Sequence, residues 1–330
     1  DNLQILVNHI KCAAFELPLS DDERFGREDL GQILSFLETE RLLHRSGGRW
    51  HWTSESYPAD AVSLRSVSSD NFVVQDITKE PRIIAEVDFD SAPSMVHEKA
   101  VYILEGRSYF VEKYDHQERR VHVREAEVDY YTDAITNTKV KILDRFQEEP
   151  VRNARRNHGE VHVTSQVVGF KKIKFYTNEN VGSGELTMPE NEMHTTSYWL
   201  TVPREVMAAL PYSGEERRDG VVALSYSLGQ LAALFLMCDR HDLGVALGDN
   251  GQGEARVERG MRRLPSALRP PEPVPGDDFE PNVFVYDNYP GGIGLSEPLY
   301  RLHSRLLAES QRLIAACSCR DGCPSCVGPV

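Results

Sequence analysis

The sequence predicts an α+β fold, and three observations carry that prediction. Apolar residues recur at helical spacing through the first forty or so positions and then give way to a glycine-centred hairpin signal. Short stretches of period-two alternation follow one another from Tyr57 to about Asp133. Mixed helical and strand patterns then close on four cysteines within ten residues: Cys317, Cys319, Cys323 and Cys326.

Composition sets the outer bounds. At about 150 residues per domain, 330 residues suggest two domains or one large one. Acids outnumber bases 51 to 37, for a net charge of −14. That balance disfavours a polybasic coat over nucleic acid or membrane but leaves room for a local basic strip. The most apolar stretch, Val221–Cys238, is interrupted by Ser225, Ser227, Gly229 and Gln230. It reads as a buried helix, since a membrane span needs about 20 predominantly apolar residues. Asp1 and Asn2 run directly into an amphipathic pattern with no signal peptide, so the expectation is a cytoplasmic chain, and the missing initiator Met suggests an excised piece.

In the first segment, Leu3, Leu6, Val7, Ile10, Ala14 and Leu17 form one helical stripe that Pro18 ends. Leu30, Ile33, Leu34 and Leu37 form a second, after the acidic turn Asp21-Asp22-Glu23. Ser46-Gly47-Gly48 then joins His44-Arg45 to Arg49-Trp50-His51-Trp52, a hairpin signal. Helices closed by a tight hairpin indicate a winged-helix unit over residues 1–56.

Residues 57–135 read as a small antiparallel β-barrel or curled sheet. Its strands are expected at Val62–Val67, Phe72–Asp76, Ile83–Val87, Val101–Leu104, Ser108–Lys113 and Val121–Arg124. Residues 136–330 read as an α+β part. Strands are expected at Val161–Tyr176 and Tyr198–Val202 around a polar turn near Asn178–Gly184, and helices near Arg204–Leu210 and Val221–Cys238. Gly248–Glu280, rich in Gly, Pro and charge, reads as a mobile loop. The buried strand Val283–Tyr286 and the helix Glu297–Ala315 lead to the cysteines.

The cysteine spacing is C-x-C-x₃-C-x₂-C, a metal-site pattern in a reducing compartment. Cys323-Pro324-Ser325-Cys326 with Gly328 resembles a zinc knuckle, in which backbone N–H groups offset the charge on the sulfurs. Arg320-Asp321-Gly322 supplies the reversal that brings Cys317 and Cys319 to face it. Four thiolates suit structural Zn²⁺ first, leaving no open position for chemistry. The same ligands can hold an iron–sulfur cluster, and spacing alone does not separate the two. Cys12 and Cys238 lie in apolar helical patterns and read as small core residues.

No GxxxxGK[ST] loop occurs, and no acidic box that could hold Mg²⁺ on a nucleotide. Gly291-Gly292-Ile293-Gly294 lies between strand and helix but lacks GxGxxG spacing, so a tight turn is favoured over a phosphate cradle. A metal nuclease would need clustered carboxylates. Glu125, Glu127 and Asp129 share a period-two face, more often a solvated edge, and Glu190 and Glu192 near His194 lack HExxH spacing.

A basic strip does stand out. From Lys139 to Lys174 nine bases (Lys139, Lys141, Arg145, Arg152, Arg155, Arg156, Lys171, Lys172, Lys174) face four acids, a local balance of +5. Lys171, Lys172 and Lys174 interleave with Phe170, Phe175 and Tyr176, a pattern that suits a phosphate backbone and stacked bases. The competing reading is a strand with Phe170 in the core and its lysines in solvent. In the first segment, Glu28, Asp29, Glu38 and Glu40 make the second helix ill-suited to the major groove. Any DNA contact there falls to the hairpin, through Arg45, Arg49 and Trp50 or Trp52; the alternative is that both tryptophans pack on the helices.

Several runs together resemble a known family. They are His9–Leu19, Glu160–Lys172, Glu192–Thr196, Phe235–Asp239, Tyr286–Leu295 and Cys319–Gly328. In this order they are similar to the C-terminal half of bacterial DEAD/DEAH-box helicases of the mitomycin-repair (MrfA, Hrq/RecQ-like) kind, over essentially the whole chain. The resemblance implies a winged-helix domain followed by a zinc-binding domain over 57–330, with Cys317, Cys319, Cys323 and Cys326 as the ligands. It further implies RecA-like motor domains elsewhere in the polypeptide, which bind ATP and Mg²⁺ and translocate on single-stranded DNA in repair. This piece is then the accessory half that holds single-stranded or forked DNA. The competing classes are a module that docks on the motor or on a repair partner, and a metal nuclease.

Overall fold

The computed structural model describes residues 2–25, 28–62, 71–249, 257–258, 279–320 and 322–328. Contacts divide the chain into two compact units, Asp1–Asp70 and Asn71–Val330. The segment after residue 56 stays with the first unit, where Tyr57 meets Phe15 edge-on with ring centroids 5.1 Å apart. The expected strand Val62–Val67 lies almost wholly outside the described residues.

In the first unit, helix α1 (Leu3–Glu16) starts where the Asn2 side chain accepts from the amides of Gln4 and Ile5. It stops just before Pro18, which cannot continue the hydrogen-bond ladder. Strand β1 (Leu19–Ser20) leads to α2 (Gly31–Thr39) and the hairpin β2 (Leu43–Ser46) and β3 (Arg49–Trp52). The sheet order is β1-β3-β2. Ile10, Ala14, Leu30, Leu34, Leu37, Leu43 and Trp50 form the core, which takes the middle of the first helical stripe, the second stripe and one face of the hairpin, while Leu3 and Leu17 at the ends of the first stripe are exposed.

The second unit begins with a five-stranded sheet made of β4 (Asn71–Asp76), β5 (Arg82–Asp88), β6 (Val101–Leu104), β7 (Arg107–Asp115) and β8 (Arg120–Glu125). Its order is β5-β4-β8-β7-β6. The pairing of β8 with β4 is parallel, so the expected antiparallel sheet contains one parallel rung pattern. Phe72, Val74, Val111, Val121 and Val123 alternate inward to make its core.

The remaining strands form a larger, curled sheet. Two of them, β9 (Tyr130–Val151) and β10 (Ala154–Lys174), make a hairpin of 22- and 21-residue arms. β11 (Asn180–Glu185) and β12 (Asn191–Thr201) pair with successive stretches of β10. After helices α3 (Arg204–Ala209) and α4 (Gly214–Leu236) come β13 (Leu243–Asp249), β14 (Pro281–Asp287) and α5 (Ser296–Ala316). The order is β13-β14-β12-β10-β9, with Val257–Glu258 on the outer side of β9.

Alternation along these strands builds two cores. Val161, Val163 and Trp199 pack with Val140 of β9, Ala246 of β13, and Phe284 and Tyr286 of β14. Because β9 and β13 are far apart in the strand order, their meeting in one cluster shows that the sheet curls on itself. The other face presents Tyr198, Leu200, Val283 and Val285 to Val221, Leu228 and Ala232 of α4 and Leu299, Tyr300 and Leu306 of α5. α4 is long and apolar enough to cross a membrane by length and composition. Its burial against α5 and the sheet gives it the role of a core helix, as the polar interruptions predict. Its start is fixed by a capping box between Ser213 and Glu216.

On the outer side of β9, no strand pairs beyond Thr138 among the described residues. Register shifts at Ile142/Asp144 and Arg145/Gln147 leave Leu143 and Phe146 as unpaired bulge residues, both exposed. The expected mobile loop Gly248–Glu280 falls mostly outside the described residues.

Candidate metal centre and nucleic-acid surface

The last turn of α5 delivers Cys317, whose amide bonds back to the Ile314 carbonyl, and the chain then reverses. Gly322 holds φ +89 at that reversal, a left-handed conformation that suits glycine. The sulfurs of Cys317 and Cys323 lie 3.6 Å apart, those of Cys319 and Cys326 3.5 Å, and those of Cys323 and Cys326 3.6 Å. All four fall within 4.8 Å of one another, the one such ligand group among the described residues.

This spacing fits one ion. Tetrahedral thiolates with Zn–S near ~2.3 Å sit about 3.8 Å apart. A four-iron cluster places each thiolate on a different iron and spreads the sulfurs further. The amides of Cys326 and Ser325 hold the Cys323 thiol low, at about 6, and the Cys323 amide donates to Cys326 Sγ at 3.3 Å. These are the knuckle N–H···S contacts that the C-x₂-C half predicts. The neighbouring sulfurs of Cys317 and Cys326 push the Cys319 thiol up to about 12, the mark of thiols crowded around one point. Zn²⁺ bound there would supply cross-linking of the tail and no reactive position. At Gly328, φ is +90, and a Cβ would sit 2.8 Å from the Tyr226 ring, so the knuckle rests closely on α4.

The strand-to-helix turn at Gly291–Gly294 is closed from within. Asp287, fully buried at the end of β14, accepts through Oδ2 from the amides of Ile293, Gly294 and Leu295 at 2.8, 2.8 and 3.0 Å. The protein's own carboxylate therefore occupies the amide nest a phosphate would need. The carboxylates Glu125, Glu127 and Asp129, considered for a nuclease, do not gather either. Glu125 ends β8 and lies 3.7 Å from Arg107, while Glu127 and Asp129 follow in the connection rather than on the same strand face.

The basic strip is split by the sheet and by ion pairs. Consecutive strand residues point to opposite faces, so Lys171 parts company with Lys172 and Lys174. Lys171 is buried, which removes it from any exposed contact surface, and Phe170 beside it is in the core. Lys172 lies over the Tyr130 ring at 5.0 Å, and Lys174 is 3.9 Å from Asp129. Tyr176 is fully exposed at a turn with φ +66, and Phe175 beside it packs on Tyr131, with centroids 5.7 Å apart. Lys172 and Lys174 thus share one strand face with Tyr130, with Tyr176 at the adjoining turn, while Tyr131 lies on the opposite face with Ile173 and packs against Phe175. The tyrosines at 130 and 131 escaped sequence reasoning because they are far from the lysines in the chain and become neighbours only through the β9–β10 register.

The arginines are mostly structural. Arg156 pairs with Glu149, donates to the Tyr300 carbonyl at 3.0 Å and covers the Tyr300 ring. Arg155 pairs with Glu148 and Glu280. Only Arg152, exposed at the hairpin tip with φ +53, is displayed outward among these three.

In the first unit, Trp50 is a core residue rather than an exposed stacking surface. β3 alternates, turning Trp50 inward and Arg49 outward, and the Trp50 indole donates to Asp21 at 2.9 Å. Arg45 is exposed but pairs with the same Asp21, holding that carboxyl below its ordinary range.

Comparison with known proteins places these features. Residues 224–327 match the MrfA Zn-binding domain, and residues 1–67 match the winged helix domain of the ATP-dependent helicase HRQ1. The chain is 38% identical to the uncharacterized ATP-dependent helicase YprA of Bacillus subtilis, over 99% of this chain and 40% of that protein. It is 24% identical to the ATP-dependent helicase hrq1 of Schizosaccharomyces pombe, over 99% of this chain and 30% of that protein. The crystal structure of the DUF1998 helicase MrfA bound to DNA aligns with TM-score 0.58 and 37% identity, covering 99% of this chain and 40% of that one. MrfA crystallised otherwise gives TM-score 0.60 at 32% identity, with 99% and 43% coverage. The chain thus spans well under half the length of these relatives. The chain is homologous to the C-terminal region of these ATP-dependent DNA helicases, with an N-terminal match to the HRQ1 winged helix domain and a C-terminal match to the MrfA Zn-binding domain.

Proposed function

We propose that this chain is the accessory region of an ATP-dependent DNA helicase acting in repair, holding single-stranded or forked DNA for RecA-like motor domains that bind ATP and Mg²⁺. The observation that carries the reading is the DNA-bound MrfA structure, similar along 99% of this chain. Supporting it is the surface of Lys172 and Lys174 beside Tyr130, with Tyr176 at the adjoining turn, which pairs cations with aromatic faces in a chain of net charge −14. Arg152 at the hairpin tip and Arg49 on the wing are further exposed contacts. The site of action is cytoplasmic in this reading. Zinc is structural, tying α5 to α4 beneath the sheet.

The test is affinity for a single-stranded oligonucleotide across a salt series. Steep salt dependence that flattens when Lys172 and Lys174 are neutralised supports the reading, because each lost phosphate contact lowers the slope by about 0.7. Absence of binding at low salt overturns it in favour of a module that docks on the motor.

A further inference from the structure

The helix-bearing face of the curled sheet carries a group of ligating side chains that neither the tetrathiolate nor the DNA surface uses. The β10–β12 register sets His162 directly opposite His194, Glu160 opposite Thr196, and Thr164 opposite Glu192. Opposed residues on antiparallel strands share a face, so both histidines and both glutamates project together. The imidazole centroids are 4.8 Å apart. Each ring has a carboxylate on its diagonal: His162 Nε2 is 3.5 Å from Glu192 Oε2, and His194 Nδ1 is 4.0 Å from Glu160 Oε1.

Further along the same face, Tyr198 and Leu200 are buried under the helices, whereas at the histidine pair the face opens. The side chains of His194 and Glu192 are 66% and 61% exposed, against 23% for His162. The backbone there is fixed, since the Gly291 amide donates to the His194 carbonyl at 2.7 Å.

We propose that this group is a second metal site, which takes one divalent ion of the borderline class (Zn²⁺, Co²⁺ or Ni²⁺) on His162, His194 and Glu192, with Glu160 beside them. Imidazole and carboxylate bonds of about 2.0–2.2 Å place two ligands on one tetrahedral ion about 3.4 Å apart. The His162–Glu192 separation already meets that distance. The other ligand atoms are not yet gathered as the four sulfurs are, but His194 and both glutamates can close by side-chain rotation alone. The strands that carry them need not move. Lys141 and Lys139, opposite His162 and Thr164 on β9, bring two positive charges to the face, which the two carboxylates balance. Nitrogen and oxygen donors make this site harder than the tetrathiolate, and three ligands leave a coordination position open.

The experiment uses the full chain carrying one zinc on its cysteines, titrated with Co²⁺ and followed by absorbance and by equilibrium dialysis. The expected result is one further equivalent bound, with weak visible bands and no thiolate-to-cobalt charge transfer. His162→Gln and His194→Gln should each weaken it at least tenfold. His194→Gln, on an exposed side chain, should keep the parent melting temperature and so serves as the folding control. The proposal fails if no second equivalent binds, if cobalt enters only with a thiolate charge-transfer band, or if the His162→Gln/His194→Gln double variant binds as the parent does.

Discussion

Replacing Asp287 by Ala removes a buried carboxylate oxygen that receives three consecutive amides at the entrance to α5. Hydrogen bonds to a charged group are worth about 1.5–3 kcal/mol each, so the gross loss is about 4.5–9 kcal/mol. Ile293 and Gly294 lie at the surface, and water restores part of what their amides lose. The net expectation is a destabilisation of about 3–5 kcal/mol, a large fraction of the 5–15 kcal/mol typical of a folded domain. Asp287→Asn keeps an acceptor of the same shape without its charge and should cost about 1–2 kcal/mol. Urea unfolding followed by tryptophan fluorescence reads both, since Trp199 lies in the core of the same sheet. A midpoint for Asp287→Ala within about 1 kcal/mol of the parent would refute the anchoring role and reopen the turn as an anion cradle.

Other outcomes follow from the same geometry. Cys323→Ser should lower bound zinc and the melting temperature together, and a strong chelator should reproduce the shift reversibly; unchanged melting would make the knuckle peripheral. Tyr176→Ala should cost about 1–3 kcal/mol in single-strand affinity while leaving the salt slope alone, whereas Lys171→Ala should lower the melting temperature instead. Burial lowers the His303 pKa to about 4 from an ordinary 6.5. Between those values the unfolded chain binds the extra proton, so stability falls as pH drops from about 6.5 to 4, by about 3 kcal/mol in all. Burial moves His97 and His158 in the same direction. Urea midpoints across pH 4–7 check this, and His303→Phe should show a shallower slope.

What could be read in the sequence was local. The helical stripes of α1 and α2, the Gly47-Gly48 hairpin and the cysteine spacing each declare themselves within a dozen or so residues, and the structure keeps all of them. The β9 arm was illegible beyond residue 135. Its alternation is broken twice by bulges, and its outer half, from Leu143 to Pro150, is exposed on both faces. β13 was missed because Gly244 and Gly248 dilute a strand of seven residues. The arginines misled for another reason: Glu280 and the Tyr300 carbonyl, which engage Arg155 and Arg156, are more than a hundred residues away. Lys171 could have been separated from Lys172 by parity alone, while its burial depended on the tertiary fold.

The doubly bulged outer half of β9, whose outer side pairs with no strand among the described residues, also bears on how this edge avoids pairing with another copy of the chain. A long bare strand is a template on which a copy of the same chain can add itself, rung by rung. Here the template is spoiled three ways: Leu143 and Phe146 break the register, Asp144, Arg145, Glu148 and Glu149 charge it, and Pro150 has no amide to offer. These features keep this edge from seeding fibres.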